Sequence, residues 1–119
     1  RRRVPRFLFD YTDGGSYAEA TLARNVADLA NIALDQRVLV DVSRVSAAVS
    51  VLGQRLSMPV ILAPVGLGGL HARRGEVQAW RAARSAGVGM ALSTVSVCSL
   101  AEVTAGGGAP PGCELYRVK

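Results

Sequence analysis

Four short segments of this sequence carry residues able to do chemistry. Tyr11, in Phe9-Asp-Tyr-Thr-Asp-Gly-Gly15, offers a phenol hydroxyl that can donate to an anion, or can simply be a half-buried helix tyrosine. Pro64-Val65-Gly66 opens a glycine-rich run that continues Leu-Gly68-Gly69. Glycine has no Cβ, so the backbone there can approach a flat ring or a phosphate closely, and a plain turn would use the same residues. Ser93-Thr94 follows a short apolar run, where a hydroxyl can bind a ligand or cap a turn. Glu114-Leu-Tyr116 sets a carboxylate and a second phenol two positions apart, in what also reads as an ordinary strand.

Other chemistries find little support. The glycine run lacks the third glycine of G-x-G-x-x-G, since His71 stands there, and no Gly-Lys-Ser/Thr follows as in a P-loop. Cys98 and Cys113 are the only cysteines and form no C-x-x-C pair; with a single histidine, a zinc site is not expected. The formal charge is +5, carried by 13 Arg and one Lys against nine acids. The arginines are scattered, apart from Arg1–Arg3 and Arg73–Arg74, with few aromatics between them to stack on bases. No nucleic-acid role is expected; an anionic substrate or membrane surface accounts for the charge equally well.

The elements that must position these residues are legible from pattern. Half of the 119 residues are hydrophobic and the mean hydropathy is +0.25, enough for one globular unit with a core. Pro5 opens one or two helical turns that Gly14–Gly15 stop. Ser16 and Glu19 have capping-box spacing, and Leu22, Val26, Leu29 and Ile32 mark the buried face of the helix that follows. Val38–Val42 and Val49–Gly53 read as extended segments, the second ending in a turn. Met58–Pro64 suits a strand buried on both faces of a parallel sheet. A loop at Val65–Gly69 precedes a helix at Gly75–Ala86, with Val77, Trp80 and Ala83 inward and Glu76, Arg81 and Arg84 outward. Val88–Ser93 is a second strand, Ser99–Ala105 a helix, and Cys113–Val118 a third strand.

The order is a helical lead (1–36), extended segments (37–57), then β-α-β-α-β (58–119). Such alternation implies an α/β fold with parallel strands and right-handed crossovers. Without a dinucleotide fingerprint, a (β/α)8 TIM barrel is the better expectation, and it places functional residues at the C-terminal strand ends. Pro64–Gly66, Ser93–Thr94 and Tyr116 fall there. No linker divides the chain, so one incomplete domain is expected. The apolar stretch Met58–Leu70 is broken by Pro59, Pro64 and glycines and is too short to span a bilayer. Asp10 and Asp13 argue against a signal peptide, and the absence of an initiating Met suggests a missing N-terminus.

The stretches PRFLFDYTDGGSYAEATLARN, LSMPVILAPVGLGGL, ARRGEVQA and LSTVSVCS resemble, in order and in register from about Pro5 to Tyr116, the FMN-dependent L-2-hydroxy-acid oxidase and dehydrogenase family. The wording is nearest that family's bacterial quinone-linked L-lactate dehydrogenases. The resemblance implies an N-terminal part of a TIM barrel and FMN as cofactor. It implies oxidation of a small L-2-hydroxy acid, lactate to pyruvate before mandelate or glycolate, with electrons passed to quinone. It further implies a cytoplasmic homo-oligomer peripheral to the inner membrane. Residue by residue, Tyr11 matches a tyrosine that holds the substrate carboxylate, and Tyr116 a second tyrosine near substrate. Pro64, Val65 and Gly66 match the turn whose backbone packs under the isoalloxazine ring, and Ser93 a serine that bonds the ring's pyrimidine side.

Two departures qualify the resemblance. Glu114 stands where the family has Gln; an amide both accepts and donates, whereas an ionised carboxylate only accepts. Its charge should weaken FMN binding or lower the flavin potential. Second, a TIM barrel takes about 250 residues, so no catalytic residue is expected within this chain. The family's catalytic histidine lies much further along, which leaves His71 as a loop residue. A stand-alone, non-enzymatic interaction module is the alternative reading of so short a chain.

Overall fold

In the computed structural model, which describes residues 4–108 and 110–116, the best-packed element is the one with the cleanest helical period. Helix α4, Gly75–Ala86, turns Val77, Trp80 and Ala83 into a core that also takes Met90 and Leu92, Cys98 and Val103. Gly87 ends the helix at φ +65, a left-handed cap that suits glycine. The chain then enters strand β4, Gly89–Ser93, buried at four of its five positions.

The chain divides into two units, Arg1–Arg44 and Val45–Lys119. In the first, α1 spans Arg6–Asp13 and α2 Ala20–Ala30. The Pro5 carbonyl accepts from Leu8 and Phe9, and the Gly14 amide closes α1 onto Asp10. The expected capping box does not form. Glu19 sits in the left-handed region at φ +55 and sends its carboxylate back to the Gly15 amide at 3.0 Å, not to Ser16. The apolar stripe of α2 is bare: Val26, Leu29 and Ile32 are about 70% exposed and Leu22 is 39% exposed. Period marks a face that asks to be covered, and nothing in this stretch covers it. Val38–Val42 forms no strand, and Leu39 at φ +58 interrupts extended backbone there.

The second unit opens with an antiparallel hairpin. Strand β1, Val49–Val51, pairs with β2, Gln54–Leu56, through a two-residue turn at Leu52–Gly53, both with positive φ. Such turns match the natural twist of paired strands. The return strand was invisible to pattern because Gln54 and Arg55 break its apolar alternation.

Three parallel strands follow in the order β3-β4-β5, where β3 is Ile61–Leu62 and β5 is Gly112–Glu114. Between them lie α3, Gly68–His71, then α4, and α5, Leu100–Thr104. The α/β alternation holds, with three parallel strands and no closed barrel among the described residues. Strand β3 is shorter than expected and not buried: Ile61 is 49% and Leu62 37% exposed. It pairs along one edge only among the described strands. The third strand stops at Glu114 instead of running to Val118, which lies outside the described residues. Helix α5 carries a capping box that escaped pattern reading, with Ser99 and Glu102 bonding each other's backbone amides.

Candidate functional site

Parallel pairing brings the C-terminal ends of β3, β4 and β5 to one side of the sheet. Ile61 and Leu62 face Gly89 and Met90, while Ala91, Leu92 and Ser93 face Gly112, Cys113 and Glu114. Ser93 and Glu114 are therefore register partners and both end their strands. Pro64–Gly66 begins two residues beyond β3, and Tyr116 lies two residues beyond β5. Six of the seven candidate residues thus gather at the strand ends of the second unit. Tyr11 lies on α1 of the first unit and is 81% exposed.

The segments leaving β3 and β4 run side by side, held at closely spaced points. The Leu67 amide donates to the Val95 carbonyl at 3.0 Å. A Cβ on Gly66 would stand 2.8 Å from Val95 Cγ2, and one on Gly69 2.7 Å from Val97 Cβ. Both glycines are needed because no larger residue permits so close an approach. The glycine run does not stay a loop, since Gly68–His71 closes one helical turn with His71 at its end.

Two clefts border these segments. One, of about 490 Å³, is mainly apolar, with Val65, His71, Glu76, Met90 and Ser93 in its wall. A smaller one, of about 220 Å³, is lined by Ser93, Thr94, Ser96, Ser99 and Glu114 among others. Ser93 borders both and is 3% exposed, its Oγ accepting from the Val95 amide at 3.3 Å. Thr94 Oγ1 accepts from the Tyr116 amide at 3.3 Å, tying the end of β4 to the residue beyond β5. Glu114 Oε2 is buried without a hydrogen-bond partner among the described residues, an acceptor suited to an N–H donor from a ligand.

Glu76, expected outward, is 4% exposed and lines the larger cleft. Its Oε1 accepts from the Gly69 amide at 2.9 Å and the Val97 amide at 3.0 Å. Burial pushes its pKa up, but its own amide, the Val97 amide, the Cys98 thiol and the Gly69 amide outweigh that and hold the carboxyl below its ordinary value. The buried Cys98 thiol is pushed up, first by burial and then by the adjoining Glu76 carboxylate. It is thus a poor nucleophile. The signal for Glu76 was present in the spacing: positions 76, 80 and 83 share one helix face.

The profile of the FMN-dependent dehydrogenase family matches residues 1–119. An L-lactate dehydrogenase of Caulobacter sp. is 62% identical over the whole chain, which covers 31% of that relative. A soluble mutant of the membrane-associated (S)-mandelate dehydrogenase of Pseudomonas putida superposes with a TM-score of 0.86 at 33% identity. That match covers 99% of this chain and 34% of that one. A mandelate oxidase mutant solved with an FMN adduct superposes at 0.82 with 37% identity, over 92% of this chain and 33% of its own. The chain therefore spans about a third of the length of the proteins it matches.

Proposed function

Because the chain belongs to the FMN-dependent dehydrogenase family, we propose that it is the N-terminal portion of an L-lactate dehydrogenase in which FMN lies across the C-terminal ends of β3, β4 and β5. The observation that carries the substrate is the 62% identity to a named L-lactate dehydrogenase along the entire chain. Mandelate is the first alternative, since the structural relatives act on it.

The residues at these strand ends suit the ring of such a cofactor. The Pro64–Gly66 turn brings backbone to the strand ends, with Gly66 packed against Val95. Ser93 contributes a buried hydroxyl with a donor to spare, and Glu114 Oε2 a buried acceptor awaiting an N–H. A carboxylate that accepts from the ring cannot also donate to a ring carbonyl, and its charge disfavours negative charge gathering on the ring. Bound FMN would supply the redox chemistry, taking a hydride equivalent from the substrate Cα and passing electrons on to quinone. Tyr11 would donate its hydroxyl to the substrate carboxylate, and Tyr116 would lie near the substrate from beyond β5. The chain would supply binding and orientation only. The base that takes the hydroxyl proton would come from outside these 119 residues, within a TIM barrel completed by further strands.

No helix among the described residues is long and apolar enough to cross a membrane. Contact with the inner membrane, through which quinone would be reached, would be peripheral, from the cytoplasmic side and by a homo-oligomer. Expression of the intact gene product and assay against lactate, mandelate and glycolate with a soluble quinone analogue tests the reading. Lactate should be the preferred substrate, and purified protein without flavin would sink the assignment. The 119 residues alone should neither oxidise lactate nor hold FMN tightly, because the phosphate site of such barrels follows the seventh and eighth strands.

A further inference from the structure

A buried carboxylate is stable only when its charge is met by donors. Glu76 is met by backbone at Oε1 alone, while its Oε2 is buried without a hydrogen-bond partner among the described residues. The amides on its Oε1 belong to two different segments, Gly69 after β3 and Val97 after β4. The nearby Arg74 guanidinium is engaged elsewhere, 3.5 Å from Glu102. Where Glu76 bonds, the two segments also touch, Gly69 against Val97 and Gly66 against Val95. One oxygen atom therefore ties together the segments that carry Pro64–Gly66 and that follow Ser93. A third contact reinforces the tie on the helix side: a Cβ on Gly75 would stand 2.7 Å from the Gly68 carbonyl oxygen, so α4 is seated directly on α3.

We propose that Glu76 is a positioning residue, a buried anionic clamp that fixes the segments after β3 and β4 relative to each other and thereby sets the ring site between Pro64–Gly66 and Ser93. The second half rests on the FMN reading above; the clamp itself does not. Both amides donate to Oε1, and the negative charge of the carboxylate strengthens both bonds. A Gln oxygen accepts more weakly from the two amides, and its NH2 would be buried at the Oε2 position, which has no hydrogen-bond partner among the described residues.

The test uses the intact gene product, comparing wild type with Glu76→Gln, Glu76→Asp and, as a control, Glu102→Gln, which keeps the spacing of the α5 capping box. Hydrogen–deuterium exchange is followed in peptides spanning 66–71 and 94–98, and FMN affinity by flavin fluorescence. In Glu76→Gln both peptides should exchange faster by about ten- to a hundredfold, together, and FMN affinity should fall by about tenfold or more. Glu102→Gln should leave both peptides at the wild-type rate. If Glu76→Gln does not accumulate as folded protein, Glu76→Asp, with the charge one methylene short, should show the same coupled loss at smaller amplitude. Unchanged exchange in either peptide overturns the clamp. Coupled loss of protection with wild-type FMN affinity and absorption overturns the positioning role. A wild type that takes up no FMN refutes the cofactor reading, and the exchange rates still decide the clamp.

Discussion

Replacing Gly69 by Ala should destabilise the chain, although local propensity says the opposite. Gly69 lies within α3, where exchanging Gly for Ala ordinarily gains about 1 kcal/mol. Here the added methyl would stand 2.7 Å from Val97 Cβ and 3.1 Å from both of its methyls. Carbon atoms rest at about 3.5–4.0 Å. The obstacle is a β-carbon fixed to backbone, so a rotamer change cannot relieve it and one segment must retreat. Such overpacking costs about 1–3 kcal/mol. Retreat also stretches the 2.9 Å bond from the Gly69 amide to Glu76, and a bond to a charged acceptor is worth about 1.5–3 kcal/mol. Set against the propensity gain, the net loss should be about 1.5–5 kcal/mol, the upper end if the bond is lost outright. Urea denaturation followed by fluorescence of Trp80, the only tryptophan and 5% exposed, would measure it. Val97→Gly in a double-mutant cycle should show a coupling of about 1 kcal/mol or more, because it removes the atom in conflict. Strict additivity, or a stabilised Gly69→Ala, would refute the close approach of the two segments.

Three further outcomes follow from the site. Tyr11→Phe in the intact gene product should raise the KM for lactate through loss of about 1.5–3 kcal/mol of carboxylate binding; steady-state kinetics with KM and kcat both unchanged would make Tyr11 structural only. Glu76 titrates below its ordinary value in the folded chain, so its contribution is fully present above the unfolded value, about pH 4.3, and is lost as pH falls through the lowered folded value. The stability gap between wild type and Glu76→Gln should therefore shrink on acidification, and a gap constant in urea titrations from neutral pH to pH 3 would contradict this. Glu114→Gln should tighten FMN and raise its midpoint potential, since it removes a negative charge beside the ring and adds a donor; a spectroelectrochemical titration showing no positive shift would count against Glu114 at the ring.

What the sequence disclosed, and what it hid, sorts by the range of the interaction. Helix α4 was legible to the residue because Val77, Trp80 and Ala83 repeat at helical period and Gly87 stops it, all local signals. Strand β4 was legible because its apolar run is covered on both sides. Val38–Val42 carries the same kind of run, yet a strand exists only by pairing, and an apolar run does not say whether a partner is near. The stripe on α2 is apolar in sequence yet exposed in the fold for the same reason. A charged residue such as Glu76 points to the surface by type; what holds it inside are amides of Gly69 and Val97, brought together only by the fold. Of the site, the glycine run and the strand-end serine were visible by type. The register pairing of Ser93 with Glu114 was not, and only resemblance to a family joined them beforehand.

The β1–β2 hairpin and the three-stranded sheet also differ in how soon each can form. The hairpin closes through two turn residues, a step that takes about 1–10 μs in isolated peptides. The pairing of β3 with β4 must wait until α3 and α4 lie between them, and that of β4 with β5 until α5 does. Parallel strands cannot pair before their crossover is in place, and the loop-closure entropy comes due before any contact rewards it. On a ribosome, the Glu76 carboxylate would emerge after Gly69 but before Val97. For that interval it has the Gly69 amide but neither the Val97 amide nor the Cys98 thiol. The nascent chain would thus carry a charge whose burial is deferred until β4 has been made, so that completion of the strand-end site and completion of the core become a single late event.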